Sequence, residues 1–576
     1  MTEPASGPTA MVPAKIAEID TALHRLDANK AHWTATPTAE RVALLKRVRA
    51  GVLDQADAWV EAALKLKALP TNSPLAGEEW SSGPWVMLTT VDLLVETLSH
   101  ADDARFVDGF PQRTTRTGQL AVEVFPRTIF DRLLMSGVTA EVWMEPGVDR
   151  AGLVSTMGRR ACTSDALEGK LSLVLGAGNI SSIAPLDALH KLFTDDSVVI
   201  LKLNPVMDSL AGVFGRMLAP LIEAGVLEIV SGGADVGAYL TSHPLVETIH
   251  ITGSGLSHDA IVFGAGADGA ARKAEASPLN IRPITSELGG VSPTIVVPGR
   301  WTAADLRFQA EHVATQKLHN AGFNCVATQV LILPADWDQA DAFEHEIRLA
   351  IERAPQRALY YPGAGDRLSR YAGRFPGEGA TDRLVTTLGT DPEADAWVCG
   401  TEVFGPAMSI LRLSGATALA YLETAVAFAN DRLQGTLAAN LIVDPAAEKQ
   451  FGAGFEDAIA RLKYGTVAIN AWSGLGYLLT QTPWGGYPGY TLSDVQSGIG
   501  FVHNAYMFGK AQRSLVRAPF RPFPRNVLHG DFSLLPRPPW FVTNRNAARV
   551  AKGLVDFHAA PSWFKLPRIF AHALTG

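Results

Sequence analysis

Hydrophobic and polar positions alternate in a regular order through the middle of the chain. Residues 14–66 show a helical period with mixed charges, and residues 117–145 contain two alternating runs that are typical of strands. From residue 170 onward, short apolar runs alternate with helical segments. The predicted strands are KLSLVLGAG, SVVILKL, LEIVSGG and ETIHITGSG, and the predicted helices are PLDALHKLF and SLAGVFGRMLAPLIEAG. Strands that alternate with helices predict βαβ units and a parallel sheet.

A second α/β region begins near residue 284. It starts with ITSELGGVSPTIVVPG and continues through QVLILP, GTLAANLIVD and GTVAIN. After about residue 510 the alternation ends, and Arg, Pro and aromatic residues dominate. The pattern therefore predicts two α/β regions followed by a tail of different character.

Composition narrows the class of protein. A chain of 576 residues that is 47% hydrophobic fits a globular protein of two or three domains. Its cysteines, Cys162, Cys325 and Cys399, have no C-x-x-C spacing or nearby His pair, so neither a disulfide framework nor a metal site is expected. A reducing cytosol is the simplest location. We expect neither a signal peptide nor a membrane-spanning helix, because no apolar run reaches the required length.

Charge is distributed unevenly between the body and the tail. The whole chain carries −8, but residues from Lys510 to the end carry +9, so the first 509 residues carry −17. An acidic body with a basic tail indicates a docking surface.

Cys325 raises the main chemical question. It stands in HNAGFNCVATQVLILP, after a turn of small residues and before a strand-like run. A lone cysteine is more often a core residue, whereas a nucleophilic thiol needs exposure, thiolate stabilisation and an oxyanion donor. Three polar residues at other turns favour the second role: Asn179 in LGAGNISS, Glu287 in TSELGG and Glu402 in EVFGP.

In this order, the segments resemble the aldehyde dehydrogenase superfamily. The ordered set is far more specific than any single member, and it covers roughly residues 20 to 520. The matching positions are Asn179, Lys202 in VILKLNP, Gly253 and Ser254 in HITGS, Glu287 in ELGG, Cys325, Glu402 and Phe404 in EVFGP, and the late segments GTVAIN and PWGGY.

The resemblance implies an α/β fold with a Rossmann-like cofactor domain, an α/β catalytic domain and a small β extension that pairs with a neighbouring subunit. A homodimer or homotetramer is therefore expected. The predicted divisions are an N-terminal helical part of the cofactor domain (1–116), oligomerisation strands (117–160), the Rossmann-like domain (161–283), the catalytic domain (284–482), a return segment with a further oligomerisation strand around 513–520 (483–520), and a C-terminal tail (521–576).

The resemblance also implies a covalent mechanism. The Cys325 thiolate attacks an aldehyde carbon, and the Asn179 amide and the Cys325 N–H stabilise the oxyanion. NAD or NADP accepts the hydride, which leaves a thioester that Glu287 hydrolyses by activating water.

The same resemblance assigns the cofactor contacts. Lys202 would bind ribose hydroxyls, Glu402 the nicotinamide ribose, and Phe404 would pack near the nicotinamide. Gly253 and Ser254 belong to the strand end that receives the cofactor.

Three positions depart from the family pattern. Phe323 follows Gly322 where Gln is common, which places a large apolar ring near the channel and favours a hydrophobic aldehyde. Pro205 stands where NAD-preferring members often carry a glutamate, so selectivity against NADP should be loose. His258 replaces a glycine of the phosphate-binding turn.

Two other functions remain as alternatives. One is reduction of an activated acyl group, such as an acyl-CoA, which does not need the water-activating base that Glu287 would supply. The other is a catalytically inactive scaffold that has lost cofactor binding. The presence of Cys325, Glu287 and Asn179 together argues against the scaffold.

The tail should be an interaction element. Its prolines rule out one long helix, and only NRNAARVAKGLVDFH has helical character. Its aromatic rings should cover a surface, and they are Trp540, Phe541, Trp563, Phe564 and Phe570. The candidates are the acidic body of the same or a neighbouring subunit, an anionic membrane and the mouth of the substrate tunnel. Nucleic acid is not expected, because the acidic body would repel it.

Overall fold

The strands form two sheets. The computed structural model describes residues 11–100, 104–157, 168–375, 383–391 and 395–576. The strands are β1 (Gln112–Thr114), β2 (Leu120–Phe125), β3 (Thr139–Met144), β4 (Lys170–Leu175), β5 (Ser197–Lys202), β6 (Leu227–Val230), β7 (Thr248–Gly253), β8 (Ile284–Leu288), β9 (Ser292–Val296), β10 (Thr328–Pro334), β11 (Leu384–Gly389), β12 (Ala407–Leu413), β13 (Ala438–Ile442), β14 (Thr466–Ile469), β15 (Gly498–Ile499) and β16 (Ala511–Arg517).

Helices cover both sheets and form an N-terminal layer and a C-terminal tail. They span Pro13–Ala35, Thr38–Leu66, Ala76–Trp80, Val86–Ser99, Ile129–Leu134, Arg150–Thr156, Ile183–Phe193, Ala211–Met217, Ala219–Glu223, Ala234–Ser242, Gly255–Val262, Gly266–Ala274, Ala303–Leu318, Ala340–Arg353, Ala364–Ala372, Ala396–Gly400, Ala418–Arg432, Pro445–Phe451, Ala453–Arg461, Gly474–Leu478, Ala547–Ala559 and Leu566–Leu574.

The smaller sheet has six strands in the order β15-β8-β7-β4-β5-β6. Its strands β4 to β8 pair in parallel, as the alternation of strands and helices predicted. Every residue of β5 is buried, because helices pack against the sheet. Strand β8 carries Glu287 and pairs with β7. The domain boundary predicted at residue 284 assigns β8 to the catalytic domain, whereas in the structure β8 belongs to the smaller sheet.

The larger sheet has ten strands in the order β1-β2-β3-β16-β14-β13-β9-β10-β12-β11. Strands β2 and β3 pair with each other, β3 pairs with β16, and β16 pairs in parallel with β14. The strands predicted as an oligomerisation extension thus continue the catalytic sheet of their own chain. Their pairing with a neighbouring subunit stays a prediction.

The C-terminal tail packs on the body of its own chain. Arg521 and Arg525 pair with the buried Asp305 at the start of helix Ala303–Leu318. Further along the tail, the Phe541 ring stacks on Phe308 and His312 of the same helix, with ring centroids 5.3 and 5.4 Å apart. The tail therefore covers the first of the three predicted surfaces.

The predicted tail helix is present as Ala547–Ala559, and its side chains Val550, Leu554 and Phe557 are buried. Helix Leu566–Leu574 was not predicted, and its proline stands in the first turn, where no backbone N–H is needed. Trp563 and Phe564 remain 57% and 95% exposed, although the Trp563 ring lies 5.0 Å from the Phe130 ring of the body. Within the described part of the chain, no helix combines the length and the apolar character that crossing a membrane requires.

Candidate active site

A left-handed turn delivers Cys325. Helix Ala303–Leu318 leads into three consecutive residues with positive φ: Asn320 at 53°, Ala321 at 56° and Gly322 at 78°. This conformation is unfavourable for residues with a side chain, so the two non-glycine positions store strain. The chain then passes Phe323 and reaches Cys325 before β10 begins. The turn therefore fixes the cysteine at the end of a buried helix.

Hydrogen bonds join this turn to Asn179. The Asn179 side-chain amide donates to the Phe323 carbonyl at 3.1 Å. The Asn320 amide donates to the carbonyls of Asn179 and Phe323 at 3.1 and 3.0 Å. Tyr360 adds donations from its hydroxyl to the Asn179 carbonyl and the Asn320 side chain. The structure thus brings Asn179 to the cysteine loop. One amide hydrogen of Asn179 orients the loop, and its role as an oxyanion donor stays a prediction.

Cys325 faces Glu287. Burial raises the pKa of the thiol well above its usual value, and the charges of Glu287 and Glu402 add to that effect. Burial also raises the pKa of Glu287 to about 8, and the negative charge of Asp187 contributes. The thiol lies close enough to the carboxyl for the two groups to shift each other's pKa, and the Glu287 Oε1 has no hydrogen-bond partner among the described residues. Near neutral pH both groups are therefore mainly protonated, and Glu287 gains its charge only in alkaline solution.

A buried polar network lies behind Glu287. Asp187 accepts hydrogen bonds from Thr252 at 2.7 Å and from His503 Nε2 at 3.0 Å, and His250 Nε2 lies 3.6 Å from the same carboxylate. Burial opposes ionisation of Asp187, but the two histidines hold its pKa well below the usual value. Asp187 therefore keeps a fixed negative charge that disfavours ionisation of Glu287.

Glu402 approaches the same centre from the segment that precedes β12 of the larger sheet. A Cβ on Gly289 would lie 2.3 Å from both Glu402 carboxylate oxygens, so glycine is needed for this approach. Burial raises the pKa of Glu402 to about 8, although the Lys317 ammonium favours its charged form. Its Oε1 has no partner among the described residues and could accept a ligand hydroxyl.

Lys317 is a site residue that the sequence reasoning missed. It is 2% exposed and donates to the Gly405 carbonyl at 2.9 Å. Burial lowers its pKa to about 7, and Glu402 acts in the opposite direction. Lys317 therefore ties the Glu402 loop to the helix that leads into the cysteine loop. The available signal was a lysine at the end of the helix that precedes a candidate nucleophile.

The predicted cofactor residues lie at the carboxyl edge of the smaller sheet, where ligands of parallel sheets bind. Lys202 ends β5 and is 7% exposed, and burial lowers the pKa of its ammonium group. Gly253 and Ser254 follow at the exposed end of β7. Ser254 Oγ accepts the Ser257 N–H at 3.2 Å and so caps helix Gly255–Val262. This arrangement fits a dinucleotide. The Lys202 ammonium group and the unpartnered, buried Glu402 oxygen suit its ribose hydroxyls, and the backbone of Gly253 and Ser254 is exposed at the same edge.

Two departures from the family pattern can now be placed. Pro205 begins a 3₁₀ turn, Pro205–Leu210, directly after β5 and offers no carboxylate. His258 is fully buried, and burial lowers its pKa, so its imidazole does not line the exposed edge.

Aromatic rings form an apolar wall beside the cysteine loop. Phe323 is fully buried, and its ring centroid lies 5.0 Å from Tyr360, 5.6 Å from Tyr361 and 5.9 Å from Phe404. Phe404, which was predicted to pack near the nicotinamide, belongs to the same cluster of rings.

The other cysteines are separate from this centre. Cys399 is buried in an apolar cluster, and burial raises its pKa to about 11. Cys162 lies outside the described residues. In the ranges that the structure describes, no group of His, Cys, Asp and Glu side chains could hold a metal ion.

Comparisons with known proteins support the resemblance. The model of the aldehyde dehydrogenase family matches residues 196–355, a range that contains Lys202, Glu287 and Cys325. The chain is 24% identical over 405 residues to a coniferyl aldehyde dehydrogenase of Pseudomonas sp. (strain HR199 / DSM 7063), which covers 66% of this chain and 75% of the relative.

Solved structures support the fold. A gamma-glutamyl-gamma-aminobutyraldehyde dehydrogenase from Burkholderia cenocepacia J2315 matches with a TM-score of 0.58 and 20% identity, over 87% of this chain and 88% of the other. A Mycobacterium tuberculosis aldehyde dehydrogenase complexed with NAD+ matches with a TM-score of 0.56 and 20% identity, over 88% and 91%. The comparisons confirm the predicted resemblance to the superfamily and the predicted fold class.

Proposed function

We propose that this chain is an NAD(P)-dependent aldehyde dehydrogenase that oxidises an aldehyde to a carboxylic acid through a thioester on Cys325. The observation that carries the proposal is the proximity of the Cys325 thiol to the buried Glu287 carboxyl, with the Asn179 amide bonded to the cysteine loop. A core cysteine would need no carboxyl of raised pKa at its thiol.

Glu287 acts first as the base for the thiol. Once ionised, its carboxylate takes the Cys325 proton, and the thiolate forms a C–S bond with the aldehyde carbon. The carbonyl π-electron pair moves to oxygen, and the Cys325 N–H and the Asn179 amide stabilise that charge. A bound NAD or NADP supplies the acceptor for the hydride that leaves the same carbon. The oxygen lone pair then re-forms the C=O bond, which leaves the thioester.

Glu287 releases the proton of the thiol to solvent and then acts again in hydrolysis. Its carboxylate removes a proton from water, the hydroxide attacks the thioester carbon, and the C–S bond breaks to release the carboxylic acid and the Cys325 thiolate. The residues that hold the cofactor in this proposal are Lys202, Gly253, Ser254, Glu402 and Phe404. Lys202 and Glu402 would bind ribose hydroxyls, and Phe404 would pack on the nicotinamide.

The substrate is a hydrophobic aldehyde in this proposal. Support comes from the cluster of aromatic rings that includes Phe323 of the cysteine loop together with Tyr360, Tyr361 and Phe404. The relative from Pseudomonas bears the name of an aromatic aldehyde, which agrees with such a cluster.

Each of the two alternative functions leaves at least one residue of the site without a role. An acyl-CoA reductase needs the nucleophile but not a base that activates water, whereas the Glu287 carboxyl lies close enough to the thiol to shift its pKa. An inactive scaffold needs neither group. A homodimer or homotetramer, a cytoplasmic location and peripheral membrane contact through the exposed Trp563 and Phe564 remain predictions.

A panel of aliphatic and aromatic aldehydes with NAD and with NADP tests the proposal. We expect nicotinamide reduction, fastest with hydrophobic aldehydes and independent of coenzyme A. Turnover that requires coenzyme A would support the acyl-transfer alternative. Failure of every aldehyde, combined with no thermal stabilisation by either cofactor, would contradict the proposed activity.

A further inference from the structure

A buried carboxylate from the N-terminal layer reaches the turn that delivers Cys325. Glu78 lies on the short helix Ala76–Trp80, and its Oε2 accepts the Asn320 backbone N–H at 3.0 Å. Arg357 donates to the two Glu78 oxygens at 2.8 and 2.6 Å. The side chains of Glu78 and Arg357 are only 5% and 7% exposed.

The Asn320 N–H is the first donor of the strained left-handed run. A buried N–H without an acceptor is costly, so Glu78 stabilises this conformation over a relaxed turn. The Asn320 side chain in turn bonds the Phe323 and Asn179 carbonyls. A displacement of Asn320 would therefore pass to Phe323, two residues before Cys325, and to Asn179, which bonds the same loop.

We propose that Glu78 is a positioning residue for the catalytic cysteine: through the Asn320 N–H, and held by Arg357, it keeps the left-handed turn in the conformation that presents Cys325. This inference rests on the proposed function, because it takes Cys325 to be the nucleophile.

The C-terminal tail holds Glu78 in place. A Cβ on Gly77 would lie 2.5 Å from the Ala547 carbonyl carbon, so the first turn of tail helix Ala547–Ala559 packs directly on the Glu78 helix. On the next residue, Glu79 pairs with Lys67 at 2.7 Å, and the two side chains are each 1% exposed. The Glu78 backbone is thus fixed from two sides. The tail therefore has a second role besides covering apolar surface: it supports the cysteine loop indirectly, through the helix that carries Glu78.

Two substitutions separate the hydrogen bond from the charge. Glu78→Gln keeps an oxygen that can accept the Asn320 N–H but removes the charge that faces Arg357. Glu78→Asp keeps the charge but withdraws the carboxylate by one methylene group, about 1.5 Å, from that N–H. A purely structural role predicts that Gln is the more damaging change, since it leaves a buried guanidinium without its counter-charge. A positioning role predicts the opposite order for thiol reactivity.

The measurement is the alkylation rate of Cys325 by iodoacetamide, followed by mass spectrometry of the peptide that contains it, with kcat, KM and melting temperature in parallel. We expect Glu78→Asp to slow alkylation and kcat by about tenfold or more, with KM for the cofactor changed by less than about twofold. Glu78→Gln should melt at a lower temperature but alkylate within about threefold of the unchanged chain.

Asp196→Asn is the matched control. Asp196 forms a buried ion pair with Arg41 at 2.5 Å, and both side chains are no more than 1% exposed. The Arg41 guanidinium also donates to the carbonyls of Trp33 and Thr36 in the N-terminal layer, so Asp196→Asn should lower the melting temperature and leave the alkylation rate unchanged.

The outcomes are distinct. Equal alkylation rates in Glu78→Asp and the unchanged chain would overturn the positioning role, as would losses of reactivity that simply follow the melting temperature in all three variants. If the unchanged chain itself oxidises no aldehyde, the proposed function fails, whereas the order of the alkylation rates still reports whether Glu78 positions the thiol.

Discussion

The two ends of the candidate site are built in opposite ways. At the chemical end, Glu287 is enclosed, and burial raises its pKa to about 8. At the cofactor end, Gly253 and Ser254 stand exposed at the edge of the smaller sheet. Enclosure controls protonation and reactivity, whereas exposure gives a large ligand access. Substitutions at the first end should therefore act mainly on kcat, and those at the second end on cofactor KM.

The largest effect is expected at Cys325. Cys325→Ala should lower aldehyde oxidation by a factor on the order of 10⁴ or more, because no other nucleophile lies beside Glu287 in the described residues. Steady-state rates and circular dichroism check this. Cys399→Ala is the control, since that thiol is buried in an apolar cluster, and it should retain full activity. Substantial turnover by Cys325→Ala would mean that the chemical end lies elsewhere.

Glu287→Gln should separate the two halves of the reaction. The amide cannot activate water, so we expect deacylation to slow by roughly a hundredfold or more. If an external base supports thiolate formation, rapid mixing should show a burst of reduced nicotinamide and then a slow steady state. A burst and a steady state reduced by the same factor would assign Glu287 only to activation of the thiol.

The activity of the unchanged chain should depend on pH through Glu287. Because the carboxyl must be ionised to act as a base, kcat/KM should rise about tenfold per pH unit and level off above about pH 8, the raised pKa of Glu287. A value of kcat/KM that stays constant between roughly pH 6 and 8 would show that burial does not set the protonation of Glu287 in this way.

The free energy of unfolding should fall as the pH rises. The pKa of Glu287 is raised in the folded chain, so the folded state favours the protonated carboxyl. The stabilisation by this group is therefore complete below its ordinary pKa of 4.5 and is lost as the pH rises to about 8. Glu287→Gln should therefore gain stability over the unchanged chain across that window, by at most about 5 kcal/mol. Urea unfolding at several pH values measures the difference, and a constant difference would contradict the assigned pKa.

The smallest effect is expected at the cofactor end. Pro205 supplies no carboxylate to repel a 2′-phosphate, so the ratio of kcat/KM for NAD and NADP should stay below about a hundredfold. Initial rates with both cofactors measure it. A larger preference for NAD would show that another group at the exposed edge performs the exclusion.

The sequence predicted the parts of this site that depend on local order. Each of these parts belongs to a motif only a few residues long that lies at a strand end or a turn. The residues concerned are Asn179, Lys202, Glu287, Cys325 and Glu402. The alternation of strands and helices predicted the parallel smaller sheet for the same reason.

Long-range partners could not be predicted in this way. Asp187 meets His503 across 316 positions, and Glu78 meets Asn320 across 242. Buried polar groups pair through the folded core, and no spacing in the chain records which of them will meet. The pairing of β16 with β14 of the same chain was missed for a similar reason, because strand patterns do not specify which sheet edge a strand joins.

The most direct test of the central claim is intact-mass and peptide-mass measurement of the Glu287→Gln chain after it is mixed, in alkaline buffer that replaces Glu287 as the base for the thiol, with a hydrophobic aldehyde and NAD or NADP. The account predicts an added mass equal to the aldehyde minus two hydrogens, located on the peptide that contains Cys325 and removed by hydroxylamine. Reduced nicotinamide formed without this adduct, or an acyl group on a different residue, would contradict a thioester on Cys325.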